Sequence, residues 1–216
     1  MRRCSWIVLP VVLVALPLSG VSEAKRAIGC ERLRGADLAP ARAIRLVIRP
    51  NVYKGTDLLG CSLPRGRVRT LAYSGVQGTI RRGYDVVQVA GAFVLLRGEG
   101  VSQSANADTV VVKDIRNGDS YEIAYRCAQL GGNDCGRAGR SSSALRAVIN
   151  DRGQAVAALR VAGSGATTIS GFSSLGERRD FDSGLPADIP PASLKIVGSR
   201  ASWTNAGRSY AARLPE

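Results

Sequence analysis

Histidine is absent from this 216-residue chain, and that absence removes several chemistries together. Ser-His-Asp and Cys-His nucleophile activation and His-ligated catalytic zinc all require an imidazole. Aromatic residues make up only 5% of the chain, which leaves few side chains to build the sugar platforms of a glycosidase cleft. Acidic residues are also in deficit, 17 Asp and Glu against 30 Lys and Arg, for a formal net charge of +13. Helix signals are scarce after the first two dozen residues. The one long apolar run, Trp6 to Leu18, is broken by Pro10 and Pro17 and is too short for a comfortable membrane span.

That run is preceded by Arg2 and Arg3 and followed by the small residues Ser22 and Ala24, three and one positions before Lys25. A charged start, a short apolar stretch and a small-residue cleavage site are the pattern of a secretory signal peptide. The expectation is a leader over 1–24, a mature chain over 25–216 and no transmembrane segment after processing. The mature chain would work outside the cytoplasm, secreted or at the cell envelope. Its size suits one domain. The cysteines then meet an oxidising compartment. Cys4 leaves with the leader, and Cys30, Cys61, Cys127 and Cys135 remain. Four cysteines allow three connectivities; pairing of chain neighbours favours Cys30 with Cys61 and Cys127 with Cys135. A zinc site is disfavoured, because there is no C-x-x-C pair and no histidine.

The mature sequence reads as short strands separated by turns. Ala43 to Arg49 mixes β-branched and long side chains and stops at Pro50-Asn51. Asp85 to Leu96 reads as two short strands around Gly91. Thr109 to Ile115 and Tyr121 to Tyr125 flank Asn117-Gly118, the strongest short hairpin signal, since both central residues of a type I′ turn need positive φ. Leu145–Ile149 and Ala155–Leu159 form another hairpin around Asn150 to Gly153. Units centred on Gly91, Gly153 and Gly198 each place a glycine turn between apolar strands, with a second hairpin following. If Cys127 to Ser143 is an insertion, both glycine intervals fall near 45 residues, within the range of propeller blades.

The stretch Val110-Val-Val-Lys-Asp-Ile-Arg-Asn-Gly118, a strand ending in Asp before a Gly turn, resembles the blade hairpins of TolB-like and YVTN-like β-propellers. The resemblance implies an all-β, antiparallel, propeller-like fold of about four short blades and a binding role without a shared catalytic set. A β-sandwich and an open partial propeller are the alternative architectures. They differ over Val111, Val148 and Ile196, which fall in successive blades of a propeller, whereas in a sandwich at least two of them share one sheet.

The candidate binding residues are basic. Net charge is +9 over Lys25 to Gly100 and +3 over Val101 to Glu216. Read as a strand, Arg65 to Leu71 puts Arg65, Arg67 and Arg69 on one face, a comb for carboxylate or phosphate, with Arg81 and Arg82 nearby. The expected partner is an anionic envelope polymer or another surface protein, and nucleic acid is not expected. No metal or cofactor site is expected, because Asp180-x-Asp182-x-Gly184 lacks the further oxygen ligands of a calcium loop. The same two acids, two apart on a strand, would share a face and offer a hydrolase the carboxylate pair it needs. Asp114 and Asp119 bracket a turn, and Ser173 and Ser174 read as turn residues. Trp203 and Tyr210 read as core, with Trp203 needing an indole partner. The functional reading is a non-catalytic binding module, with a carboxylate-dependent envelope hydrolase as the alternative.

Overall fold

Two strands of this protein abandon apolar–polar alternation for continuous apolar runs, Phe93-Val-Leu-Leu96 and Ala155-Val-Ala-Ala-Leu159, and every residue of both runs is buried. Such runs belong to strands covered on both faces. The computed structural model describes residues 29–30, 33–41, 44–63, 66–103, 105–129 and 142–216. The expected leader over 1–24, Arg65 and Cys135 lie outside the described residues.

The chain is all-β among the described residues, with one 3₁₀ turn at Pro191–Ser193. Sheet I comprises β1 (Ala36–Ala41), β2 (Ile44–Pro50), β3 (Thr56–Ser62) and β4 (Arg69–Tyr73). Sheet II holds β5 (Gly75–Gln77), β6 (Ile80–Ala90), β7 (Phe93–Val101), β8 (Ala105–Asp114) and β9 (Ser120–Gln129). Sheet III holds β10 (Ser142–Ile149), β11 (Ala155–Val161), β12 (Thr167–Phe172) and β13 (Arg178–Gly184). Sheet IV is the short set β14 (Lys195–Val197), β15 (Arg200–Asn205) and β16 (Arg208–Arg213). Each is an antiparallel meander in strict chain order.

The sheets pack face to face in that same order. Ile44, Leu46, Leu58 and Leu71 of sheet I meet Val94, Leu96 and Ile115 of sheet II. The other face of sheet II, with Phe93, Leu95, Val110 and Val112, meets Ala155, Ala157, Leu159 and Phe172 of sheet III. Sheet III then turns Val156, Ala158 and Ile169 toward Leu194, Ala201 and Trp203. The alanines of β11 keep the middle sheet thin enough to be covered on both sides, and the burial of each larger side chain is worth about 1.5–3 kcal/mol.

The two ends of the stack are closed differently. On the outer face of sheet I, Cys30 and Leu33 cover Val47 and Leu59, held by the Cys30–Cys61 disulfide. Sheet IV instead exposes Lys195, Arg200 and Arg213, a polar outer face of the kind that ends a stacked array in water. Cys127 is buried and also disulfide-bonded.

Val111, Val148 and Ile196 lie in β8, β10 and β14, in three successive sheets, so the chain-ordered, blade-like arrangement holds and a two-sheet sandwich does not. Among the described residues no core cluster joins sheet I to sheet IV. No helix among them is long and apolar enough to cross a membrane.

Three local expectations need correction. The Asn117-Gly118 hairpin forms, but only Gly118 takes positive φ (88°). Its loop is the longer span 115–119, because Asp114 Oδ1 accepts the Arg116 N–H at 2.8 Å and Asp114 N–H donates to the Asp119 carbonyl. The strand expected over Arg65 to Leu71 begins only at Arg69, with Arg67 in an isolated bridge to Gly29. Asp180 and Asp182 do not share a face. A register shift makes Asp180 the partner of Ser170 and Asp182 the partner of Ile169, and an inserted residue in a ladder reverses the alternation.

Candidate functional site

The loop design met at Asp114 recurs. Asn51, Asn150 and Ser173 each accept backbone N–H groups two and four residues on with a side-chain oxygen. In all four loops the first residue's N–H closes back onto the carbonyl of the last. These side chains replace the missing strand partners of the loop backbone, which is why Ser173, fully buried, is a turn residue and not a nucleophile. The sequence signal was available as Asn, Asp or Ser three or four residues before Gly, but hairpin dipeptides alone do not reveal it.

Three of these loops converge between sheets II and III around a recess of about 470 Å³, bordered by Asp114, Arg116, Asp119, Tyr121, Arg152 and Ser174. Its acids are already engaged. Asp114 receives Arg116 through an ion pair at 2.7 Å and Asp119 receives the Asn117 amide. Arg116 also lies 5.0 Å over the Phe93 ring, within cation–π range. Burial pulls the Asp114 pKa up, but the side-chain and backbone hydrogen bonds from Arg116, with its charge and that of Arg69, more than reverse this and leave it below its ordinary value. Tyr121, pushed up by burial, stays protonated and donates to the Gly153 carbonyl at 2.6 Å.

The sign for stability follows. A carboxyl with a lowered folded pKa contributes stability above its unfolded value of about 4 and loses it as pH falls through the folded value. Asp180 moves in the same direction: burial pulls it up, and hydrogen bonds from Arg178 and Ser170, with the charge of Arg178, outweigh that. Urea unfolding at a series of pH values should give Asp114→Asn a flatter acid limb than the parent protein below about pH 4. Parallel limbs would mean that the Arg116 contact contributes no net stability.

The remaining sequence-picked acid is equally occupied. Asp182 accepts the Trp203 indole N–H at 2.7 Å and the Asn205 amide at 2.9 Å. Trp203 is buried and stacked between Phe181 and Tyr210, which gives the indole the partner it required. No pair of free carboxylates faces a common recess among the described residues.

A larger cleft, about 950 Å³, opens on the sheet I side of sheet II. Its floor is small: Gly98 pairs with Thr109 and Gly100 with Ala107 across β7 and β8. β4 borders this face. Arg69, at its start, donates to the Arg116 carbonyl at 3.1 Å. Tyr73, at its end, lies under Arg82, which bonds its hydroxyl and sits 5.1 Å from its ring centroid. Sheet I covers the Val94 and Leu96 half of the sheet II face and leaves the Gly98 and Gly100 half as the cleft. Tyr84 and Tyr125 add aromatic walls, and Lys113 stands at the end nearest the Asp114 loop. Lys113 has no hydrogen bond or ion pair among the described residues, and burial holds its pKa below the ordinary lysine value.

The five arginines picked from the sequence are not gathered on one face. Arg65 is outside the described residues. Arg67 is exposed beside Gly29, while Arg69 is half-buried, with its Nε enclosed and unpaired. Arg81 and Arg82 are adjacent on β6 and so point to opposite faces. Of the four described, only Arg82 borders the cleft. The comb fails because the chain preceding β4 is not in the sheet and because alternation splits the second pair. Lys113, the cation that does enter the cleft, was not singled out, since one lysine inside an apolar strand carries no pattern.

No protein-family model matches the chain, and no curated protein matches it significantly.

Proposed function

We propose that this protein is a non-catalytic binding module acting outside the cytoplasm at the cell envelope, and that the cleft on sheet II is its binding face. The observation that carries the reading is the cleft itself: a wide recess with a glycine and alanine floor, tyrosine walls and the cations Arg82 and Lys113. Recesses that are mostly apolar with a few placed polar groups are the usual form of a ligand site. The formal charge of +13 favours an anionic partner, either an envelope polymer or the acidic part of another surface protein. The resemblance of the Val110–Gly118 hairpin to propeller blades supports the same role. The alternative, a carboxylate-dependent hydrolase, is weakened by the engagement of Asp114, Asp180 and Asp182, each already bonded to an arginine, serine, indole or amide.

The test uses an isolated anionic envelope fraction and a variant that fills the floor. A Cβ added at Gly100 meets only the Ala107 methyl, at 4.0 Å, and the recess lies beyond it, so Gly100→Leu should fold and occupy the cleft. Retention of the parent protein should exceed that of the variant and should weaken as salt rises through about 0.1 M, where the screening length is about 10 Å. Equal retention of both proteins, or release of new reducing ends from the fraction, would defeat the reading.

A further inference from the structure

We propose that the cleft takes an extended polypeptide segment, added as a strand to the free edge of β4, with a carboxylate of that segment against Lys113. The inference rests on reading the cleft as the binding face and names the class of partner.

The first support is the edge. β4 is the last strand of sheet I and, among the described residues, pairs only with β3. Four successive residues, Thr70 to Tyr73, border the cleft, while no residue of β3 does. A register shift at Leu71 turns Leu71 and Ala72 together toward sheet II, and the side of β4 away from β3 borders the recess with them. Unpaired N–H and C=O groups along such an edge are a template for another strand.

The second support is room. Sheet I has four strands and sheet II five, and the sheet II strands are the longest in the fold, 9–11 residues from β6 to β9. The uncovered part of sheet II lies where a fifth strand of sheet I would sit, next to β4. Packed sheets stand about 10 Å apart, and over Gly98, Gly100 and Ala107 that space is a recess among the described residues. An added strand would place alternate side chains on this floor, between Tyr84 and Tyr125.

The third support is charge. Lys113 is half-buried and has no anionic partner among the described residues. At the opposite end Arg82 is held by Tyr73, and Glu99 is the acidic side chain at that rim. A segment with its carboxylate at the Lys113 end would supply the missing counter-charge, as a charge-assisted bond in a partly dry site.

A displayed library of random decapeptides with free C termini tests this, with soluble dextran sulfate as the anionic probe that cannot form a strand. Selected peptides should alternate apolar and polar residues, carry a carboxylate at one end and slow exchange of the Thr70–Tyr73 amides that point away from β3. Lys113→Met should weaken them about tenfold or more, the size expected for losing a bond to a charged group. Gly100→Leu should abolish binding. If dextran sulfate binds the parent protein better than Gly100→Leu while no peptide is selected, strand addition is wrong and the binding face stands. If neither probe distinguishes the parent from Gly100→Leu, both readings fall. Peptides that bind Lys113→Met unchanged overturn the carboxylate contact. Slow exchange, in the protein without peptide, of the Thr70–Tyr73 amides that point away from β3 overturns the proposal as well, since the edge would already be paired by the chain itself.

Discussion

Gly153→Ala is expected to lower the free energy of unfolding by about 2–5 kcal/mol, and Gly198→Ala by no more than about 1–2 kcal/mol. Both glycines centre a hairpin turn, and both hold positive φ, 79° and 56°, so each alanine carries the left-handed backbone penalty. The surroundings separate them. A methyl group at Gly153 would overlap the ring of Phe93, whereas at Gly198 nothing lies within 4 Å. Phe93 cannot yield easily, because it is buried in the interface between sheets II and III with Arg116 over its face. Overpacking of this kind adds about 1–3 kcal/mol. Urea titration of the two variants measures the difference. Equal losses would mean that the Phe93 ring moves aside at little cost.

Removing the Cys30–Cys61 link by a double alanine substitution should cost about 3–4 kcal/mol. The two cysteines are 31 residues apart, and the chain-entropy estimate for a closed loop of that size lies in this range. The structural consequence is local to the outer face of sheet I, where Cys30 and Leu33 cover Val47 and Leu59. Loss of the link should therefore raise amide exchange in β2 and β3 and bind a hydrophobic dye, while leaving the interface of sheets III and IV protected. A variant that exchanges uniformly faster throughout would show that the stack unfolds as one unit, with no separable end. The pairing expected for Cys127 with Cys135 is checked on the same protein by mass spectrometry without reduction, where a free thiol at Cys135 would exclude it.

Much of the local structure was legible because it depends on short-range chemistry. The hairpins at Gly91, Gly153 and Gly198 were readable from glycine between apolar strands, and all three glycines do take positive φ. The apolar runs at Phe93 and Ala155 marked strands, and Trp203 announced its need for a polar partner. The functional site was not legible in the same way. The arginine comb rested on ideal alternation over a strand that starts four residues later than expected. The acid pair rested on the same alternation, and one register shift in β13 put Asp180 and Asp182 on opposite faces. Alternation is a rule about an unbroken ladder, and a strand's partner, which the local sequence does not name, decides where the ladder breaks.

The amino-acid sequence by itself determined the all-β character, the positions of most turns and the exclusion of histidine-dependent chemistry, and it favoured the pairing of Cys30 with Cys61 that the structure shows. Each of these follows from residue type or from contacts close along the chain. Only the tertiary structure decided that four meanders stack in order, that Phe93 closes on Gly153, and that sheet I packs on the Val94 and Leu96 half of sheet II while the Gly98 and Gly100 half lines a cleft. Lys113 and β4 are separated by some forty residues and border one recess because sheet I packs on sheet II. Packing between sheets is a long-range property with no signature in any single stretch of sequence.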